Sequence, residues 1–374
     1  YNALMGAPRT TKAVLSNNAA GLTSLRRELI EALVERYDVS VCVPHDDYTT
    51  RIIEMGAKLI EVDMNRRGKK IIEEIKTIGA YKKIMQREKP DVVLTYTIKP
   101  NIYGGLVCRK LKIPFITNIT GLGTELQSNS LFSRILMLLY MYGIKKAKKV
   151  FVQNTEIQKK LARYGISNNQ CELLPGSGVN LTKHCYEAYP TEKQGIRFLF
   201  IGRVMKDKGI EELIYAARTI VSSHHNVKFD IIGYYDDSKY KEQIDELIKR
   251  GVMRLFPFQE NIHDVIKAHH CIIHPSYHEG MSNALLEAAA VGRPVIASDI
   301  PGCREAFDDG VSGIAVKVKD RESLKFGIER FLAMTEEAHK KMGMAGRKKV
   351  EEYFDRRIVI GKYISTLEGI EGEL

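Results

Sequence analysis

The feature that most restricts the fold of this chain is a long alternation of short apolar runs with amphipathic helical stretches. Seven apolar runs come first, at residues 12–17, 39–44, 58–62, 91–96, 114–119, 150–153 and 171–174. Five more follow at 197–201, 228–232, 271–275, 294–298 and 313–318, with helical periodicity between runs, as over 22–35, 71–88 and 210–221. Near-continuous apolar strands are covered on both faces, and strands joined through helices run parallel. Two such series predict an α/β chain with two doubly wound sheets. The turn formers of Leu174-Pro175-Gly176-Ser177-Gly178-Val179-Asn180 lie between them. They divide the chain into an N-terminal domain over 1–180 and a C-terminal domain over 181–374. With 374 residues, 44% of them hydrophobic, there is material for two cores.

Chemistry concentrates in the second series. In His-Pro-Ser-Tyr-His-Glu-Gly-Met-Ser-Asn-Ala-Leu-Leu-Glu, residues 274–287, two carboxylates bracket a polar loop and a helix start. Ser282 is placed to cap that helix. A strand leading through a glycine turn into a helix N-terminus offers amides and a positive dipole end to an anion. Glu279 on the loop and Glu287 one turn into the helix can then hold hydroxyls on either side, which suits a nucleotide-sugar. About 75 residues upstream, Gly202-Arg203-Val204-Met205-Lys206-Asp207-Lys208-Gly209 follows another apolar strand. Arg203 and Lys208 there suit a diphosphate, the first by its bidentate fork and the second as a mobile charge. They would neutralise the charge growing on a departing nucleoside diphosphate. Both motifs fall at C-terminal strand ends, where open α/β sheets bind ligands.

Gly202-Arg203 with Lys208-Gly209, then Glu279 with Glu287, resembles the retaining glycosyltransferases of family 4. Pro294-Val295-Ile296-Ala297-Ser298, Gly302-Cys303-Arg304-Glu305 and Gly310-Val311-Ser312-Gly313 continue the pattern in order. The resemblance implies the GT-B fold, two Rossmann-like doubly wound domains facing a central cleft, with the last helix, about 357–374, crossing back to the first domain. It implies that Arg203 and Lys208 hold the donor diphosphate, Glu279 the transferred sugar and Glu287 the ribose. Arg203, Lys208 and Glu279 are the catalytic set; Gly21, Gly202, Phe256, Gly280, Met281, Ser282 and Asn283 join them in donor binding. For the acceptor it points to Asn18, Arg26, Tyr96, Lys99 and Thr120. Thr120, in Thr117-Asn118-Ile119-Thr120-Gly121-Leu122-Gly123, stands where many members have His, and Thr95-Tyr96-Thr97-Ile98-Lys99-Pro100-Asn101 also lacks one. These departures resemble a subgroup that extends polyprenyl-diphosphate-linked saccharides in bacterial glycan assembly, such as capsule. The implied reaction moves a hexose or N-acetylhexosamine from a UDP-sugar with retention, without a cofactor or metal. A UDP-sugar epimerase on the same scaffold, a transferase with a soluble sugar acceptor and a non-catalytic binding protein are the alternatives.

Charge narrows the partners. Residues 1–180 hold 28 Lys/Arg against 16 Asp/Glu, so the net charge of +11 belongs to the first half. With no nucleic-acid-binding motif present, an anionic membrane surface is the expected partner and nucleic acid is not. Residues 131–142 are strongly apolar and run into Lys145, Lys146, Lys148 and Lys149. That segment reads equally as a membrane-facing helix or as a buried helix with a solvated basic end. No apolar run is long enough to span a bilayer and no signal peptide is visible, so the expected location is cytoplasmic, peripheral on the inner face of the cytoplasmic membrane. Six scattered cysteines without a Cys-x-x-Cys read as reduced thiols. His224-His225 and His269-His270 lack a matching metal-ligand set and read as structural or exposed.

Overall fold

The computed structural model describes residues 9–64, 71–122, 131–257, 259 and 261–373. They form two compact units, one of residues 1–177 with 359–374 and the other of 178–358.

The first unit is built on seven parallel strands, β1 (Thr11–Leu15), β2 (Asp38–Val43), β3 (Lys58–Glu61), β4 (Val92–Tyr96), β5 (Phe115–Ile119), β6 (Lys149–Val152) and β7 (Cys171–Leu173). Their order is β3-β2-β1-β4-β5-β6-β7. Helices α1 (Ala19–Leu25), α2 (Arg27–Val34) and α3 (Thr50–Glu54) supply Leu22, Leu29, Ile30, Leu33 and Ile52 to one core layer. Helices α4 (Ile71–Glu88), α5 (Ile98–Leu111), α6 (Leu131–Ile144) and α7 (Thr155–Arg163) supply Tyr81, Met85, Val107, Tyr140, Ile144 and Leu161 to the other. The periodic stretch over 22–35 proves to be two helices. Arg26 leaves helical geometry at φ −128° and ψ 14°, and its side chain is buried.

The second unit carries six parallel strands, β8 (Ile196–Ile201), β9 (Val227–Ile232), β10 (Met253–Phe256), β11 (Cys271–His274), β12 (Val295–Ser298) and β13 (Gly313–Val316), in the order β10-β9-β8-β11-β12-β13. Helices α8 (Ile210–Ser223), α9 (Lys241–Lys249) and α12 (Arg321–Leu332) pack on one face. Helices α10 (Ile262–Lys267), α11 (Asn283–Val291) and α13 (Glu336–Tyr353) pack on the other. Strand β10 lies outside the five runs read from sequence. It is an edge strand whose Arg254 is exposed, so it lacks the unbroken apolar signature of a strand covered on both faces.

The last helix, α14 (Arg356–Glu371), adds Val359, Tyr363, Leu367 and Ile370 to the core of the first unit. It is tied there by polar contacts as well. Lys12, fully buried on β1, donates to Glu371 at 2.5 Å, and Tyr363 is hydrogen-bonded to buried Asn118.

In both sheets the first strand is central and strand order reverses beside it, between β1 and β4 and between β8 and β11. Ligands bind open α/β sheets beyond the carboxyl ends of the strands at such a switch point. Paired residues Cys271 and Phe198 set β11 alongside β8, and so bring the two sequence motifs of the second unit to one sheet edge.

Candidate active site

At that edge the chain after β8 enters a short 3-10 turn, Lys206–Lys208, and reaches α8 through Gly209. Gly209 has φ +72°, and a Cβ there would come within 2.1 Å of the Pro275 carbonyl oxygen. Only glycine satisfies both the left-handed backbone and that approach. The two loops are joined further by the Tyr277 amide donating to the Asp207 carbonyl at 2.8 Å and by Ser276 Oγ donating to the same oxygen at 3.3 Å.

This joining brings Lys208 to Glu279, 71 residues apart, with Nζ to Oε1 at 2.5 Å. The same oxygen lies 2.9 Å from Nε2 of His274, the buried last residue of β11. Ser282 Oγ lies 3.1 Å from that nitrogen and caps α11 through the Leu285 amide. Burial alone would raise the Glu279 carboxyl. The His274 hydrogen bond and the Lys208 charge outweigh it and hold the group well below the usual carboxylate range. Glu279 is therefore an ionised acceptor with a fixed direction. His274 belongs to the motif read from sequence, but its role there was not visible. It could be found only by noticing that the last residue of a buried strand faces the turn that carries Glu279.

Gly302 supports the loop from behind. At φ +86°, a Cβ on it would lie 2.5 Å from the Gly280 carbonyl oxygen and 2.8 Å from that of Glu279. Its carbonyl accepts the Ser282 amide at 2.8 Å, and its amide donates to Glu305 at 2.6 Å. Of the residues expected to bind the donor from Gly280 to Asn283, Ser282 thus has its amide already engaged within the protein. Among the described residues, the amides of buried Met281 and half-buried Asn283 have no such acceptor. Asn283 Oδ1 is buried without a hydrogen-bond partner.

Arg203 stands at the end of β8 after Gly202, partly exposed, with Nη1 3.2 Å from Asp236. Asp236 is thus the carboxylate that steadies this guanidinium. Glu287 sits on α11 with its side chain 17% exposed and 3.9 Å from His184 Nε2. Burial pushes its carboxyl up to about 7 against the opposing charges of Arg356 and Lys183. Phe256 ends β10, where its carbonyl accepts the Gly233 amide at 3.0 Å and its ring lies under Arg254.

The second unit also holds one cluster of metal-ligand type among the described residues, Cys185, Glu187 and His263. Glu187 and Cys185 both face His263 Nε2, at 3.1 and 3.9 Å. Two of them come from the segment before β8 and one from α10, so no sequence spacing announces the group. The carboxylate and imidazole already satisfy one another as a hydrogen-bonded pair. His269, by contrast, is structural: it lies 2.8 Å from buried Asp230, which Arg254 also contacts.

In the first unit several expected acceptor residues have other work. Asn18 caps α1, accepting from the Gly21 amide at 2.7 Å, and Asp46 accepts the Ala19 amide at 2.8 Å. The turn that carries Gly21, expected to help bind the donor, therefore has a carboxylate on its first amide, and the Gly21 amide is spent. Arg26 and Tyr96 are corrected from acceptor contacts to core. The Arg26 guanidinium stacks on the Tyr96 ring at 4.7 Å and donates to Ser177 at 2.6 Å, with both residues buried. Lys99 pairs with Glu74 at 2.5 Å, and Thr120 is half-buried just beyond β5. Gly123 lies outside the described residues. Thr97, which precedes α5, has φ +72°. A β-branched residue in that region is strained, and such strain concentrates at ligand-binding turns.

Residues 187–349 match the family described as glycosyl transferases group 1, and residues 13–154 the family described as glycosyl transferase 4-like. Among curated proteins, the chain is 24% identical to a Campylobacter jejuni N,N'-diacetylbacillosaminyl-diphospho-undecaprenol alpha-1,3-N-acetylgalactosaminyltransferase, over 95% of this chain and 98% of that one. It is 22% identical to an Escherichia coli UDP-Gal:alpha-D-GlcNAc-diphosphoundecaprenol alpha-1,3-galactosyltransferase, over 77% and 78%. Among solved structures, Thermosynechococcus elongatus sucrose-phosphate synthase superposes with a TM-score of 0.81 at 19% identity, covering 98% of this chain and 100% of that one. Anabaena HepE in complex with UDP and glucose gives 0.79 at 15% identity, covering 96% and 99%.

Proposed function

Because this chain belongs to the family-4 glycosyltransferases of GT-B fold, we propose that it moves a hexose or N-acetylhexosamine from a UDP-sugar to a polyprenyl-diphosphate-linked saccharide in bacterial surface-glycan assembly. The observation that carries the reading is the arrangement at the β8 and β11 ends: Lys208 seated on an ionised Glu279, with Arg203 beside the same sheet edge. The similarity to a transferase of a lipid-linked saccharide along nearly the whole of both chains supports the acceptor class.

In this reading Arg203, Lys208 and the first amides of α11 receive the diphosphate. Glu279 accepts hydroxyls of the transferred sugar and Glu287 those of the ribose. His274 is a positioning residue that aims Glu279. Glu279 is committed to two hydrogen bonds from the protein and serves as acceptor rather than nucleophile. Retention then follows from front-face attack. The acceptor oxygen bonds to the anomeric carbon as the bond to the diphosphate breaks, and the acceptor proton passes to a leaving-group oxygen. Charge stabilisation comes from the two cations and the helix end, and no metal is required. The first unit takes the acceptor, and the enzyme works peripherally on the inner face of the cytoplasmic membrane. Among the described residues no helix is long and apolar enough to cross it.

The test is incubation with a panel of UDP-sugars and short polyprenyl-diphosphate saccharides in the presence of a chelator, with products read by mass spectrometry. A lipid product heavier by one sugar is expected. Appearance of a UDP-sugar isomer with no lipid product would replace the reading with epimerisation, and activity only without chelator would overturn metal independence.

A further inference from the structure

Helix α6 has two unlike faces. Ser133, Met137, Tyr140, Met141 and Ile144 are buried, while Leu131, Ile135, Leu138, Leu139 and Tyr142 are exposed by 74%, 51%, 61%, 50% and 56%. The exposed set recurs at three- and four-residue spacing, so it forms one stripe. Which face looks outward is settled by a close helix crossing. A Cβ on Gly143 would come within 2.8 Å of Ile102 Cα on α5, and one on Gly105 within 2.4 Å of the Gly143 carbonyl oxygen. Neither helix can rotate without bringing larger residues into that crossing, so the leucine stripe is held out in water. Five large apolar side chains side by side on a helix mark an interaction surface rather than scattered exposure.

The charge around the stripe identifies the partner. Exposed Arg134 lies within it, and exposed Lys145 and Lys146 follow its end. Residues 131–149 include no Asp or Glu. Among the described residues no carboxylate pairs with Arg134, Lys145 or Lys146, although Lys148 and Lys149 are engaged by Glu373 and Glu172. Packing two copies of this helix together in either direction would set cations only against cations or leucines. An anionic bilayer surface complements both features, since apolar side chains enter the acyl boundary while lysines meet headgroups. At 1.5 Å per residue the helix is only about 21 Å long, too short to cross a hydrocarbon core. It must lie in the interface plane.

We propose that the exposed face of α6 is the membrane-docking surface of this enzyme, inserting Leu131, Ile135, Leu138, Leu139 and Tyr142 into an anionic leaflet with Arg134, Lys145 and Lys146 on its headgroups. This deepens the membrane-side reading above and rests on it, but its test uses no acceptor. The full chain is sedimented with phosphatidylglycerol/phosphatidylcholine vesicles and with pure phosphatidylcholine vesicles. Binding to the anionic vesicles, weakening as salt rises, is expected. Leu138→Glu with Leu139→Glu, both at exposed positions, should weaken binding at least about tenfold while the thermal midpoint stays unchanged. Neutralising Lys145 and Lys146 should weaken it about fivefold per charge, on anionic vesicles only. Transfer to a short-chain, water-soluble acceptor should be unaffected by these substitutions. Wild-type failure to bind, or a leucine variant binding like the wild type, would overturn the proposal. So would a solution dimer, seen by light scattering, that the leucine variant splits into monomers. If vesicle binding behaves as stated while no lipid-linked acceptor is used, the docking surface stands and the acceptor reading falls.

Discussion

Replacing Glu287 with Gln should stabilise the second unit, and by an amount that depends on pH. Folding raises this carboxyl to about 7, with burial as the main cause, from about 4.3 in an unfolded chain. A group raised on folding contributes its full stability below the unfolded value and loses it as pH climbs through the folded one. At low pH both the wild-type carboxyl and the amide are neutral, and the two proteins should unfold alike. Above pH 7 the wild type must bury an ionised carboxylate whose nearest imidazole nitrogen, on His184, is 3.9 Å away. The difference between the two values corresponds to about 3–4 kcal/mol at full ionisation, falling to about 1 kcal/mol at pH 5. At roughly 2–4 °C per kcal/mol, thermal unfolding without donor should separate Glu287→Gln from the wild type by several degrees at pH 8.5. The gap should narrow to about 2–4 °C at pH 5 and close only below about pH 4. The same variant should bind UDP more weakly in calorimetry at pH 8.5, since an amide offers the ribose hydroxyls one acceptor oxygen in place of two. A midpoint difference that ignores pH, or a variant less stable at pH 8.5, would refute the reasoning.

Three further outcomes follow from the same geometry. Lys208→Ala and Arg203→Ala should each lower turnover by about 100-fold or more in a steady-state transfer assay, and near-normal rates in both would remove them from the active site. Gly209→Ala meets both the left-handed backbone and the Pro275 carbonyl. It should cost about 2 kcal/mol or more in denaturant unfolding and reduce activity through the misplaced loops, whereas an unchanged midpoint would contradict the close approach. Glu371→Gln leaves the buried Lys12 ammonium without its counter-charge and should destabilise the first unit by about 2–4 kcal/mol. Restoration by Lys12→Met in the double variant would attribute that loss to the stranded charge.

Sequence alone determined the kind of elements, their order and the two motifs. The first seven apolar runs are the seven strands of one sheet, the next five are strands of the other, and both motifs fall at strand ends. These features were legible because local periodicity and turn chemistry are written in neighbouring residues. What depended on distant residues was not. Strand β10 is held by pairing with β9 rather than by its own apolar pattern, and Arg26 breaks a helical stretch because its guanidinium has a buried partner in Tyr96. The seating of Lys208 on Glu279, the aim that His274 gives that carboxylate and the Gly302 buttress behind it all join residues far apart in the chain or across a turn. So does the choice of which side of α6 faces water, made at Gly105 and Gly143. Only tertiary structure decided these, because sheet order and close backbone approach fix which side chains meet, and neither is encoded in the spacing of any single segment.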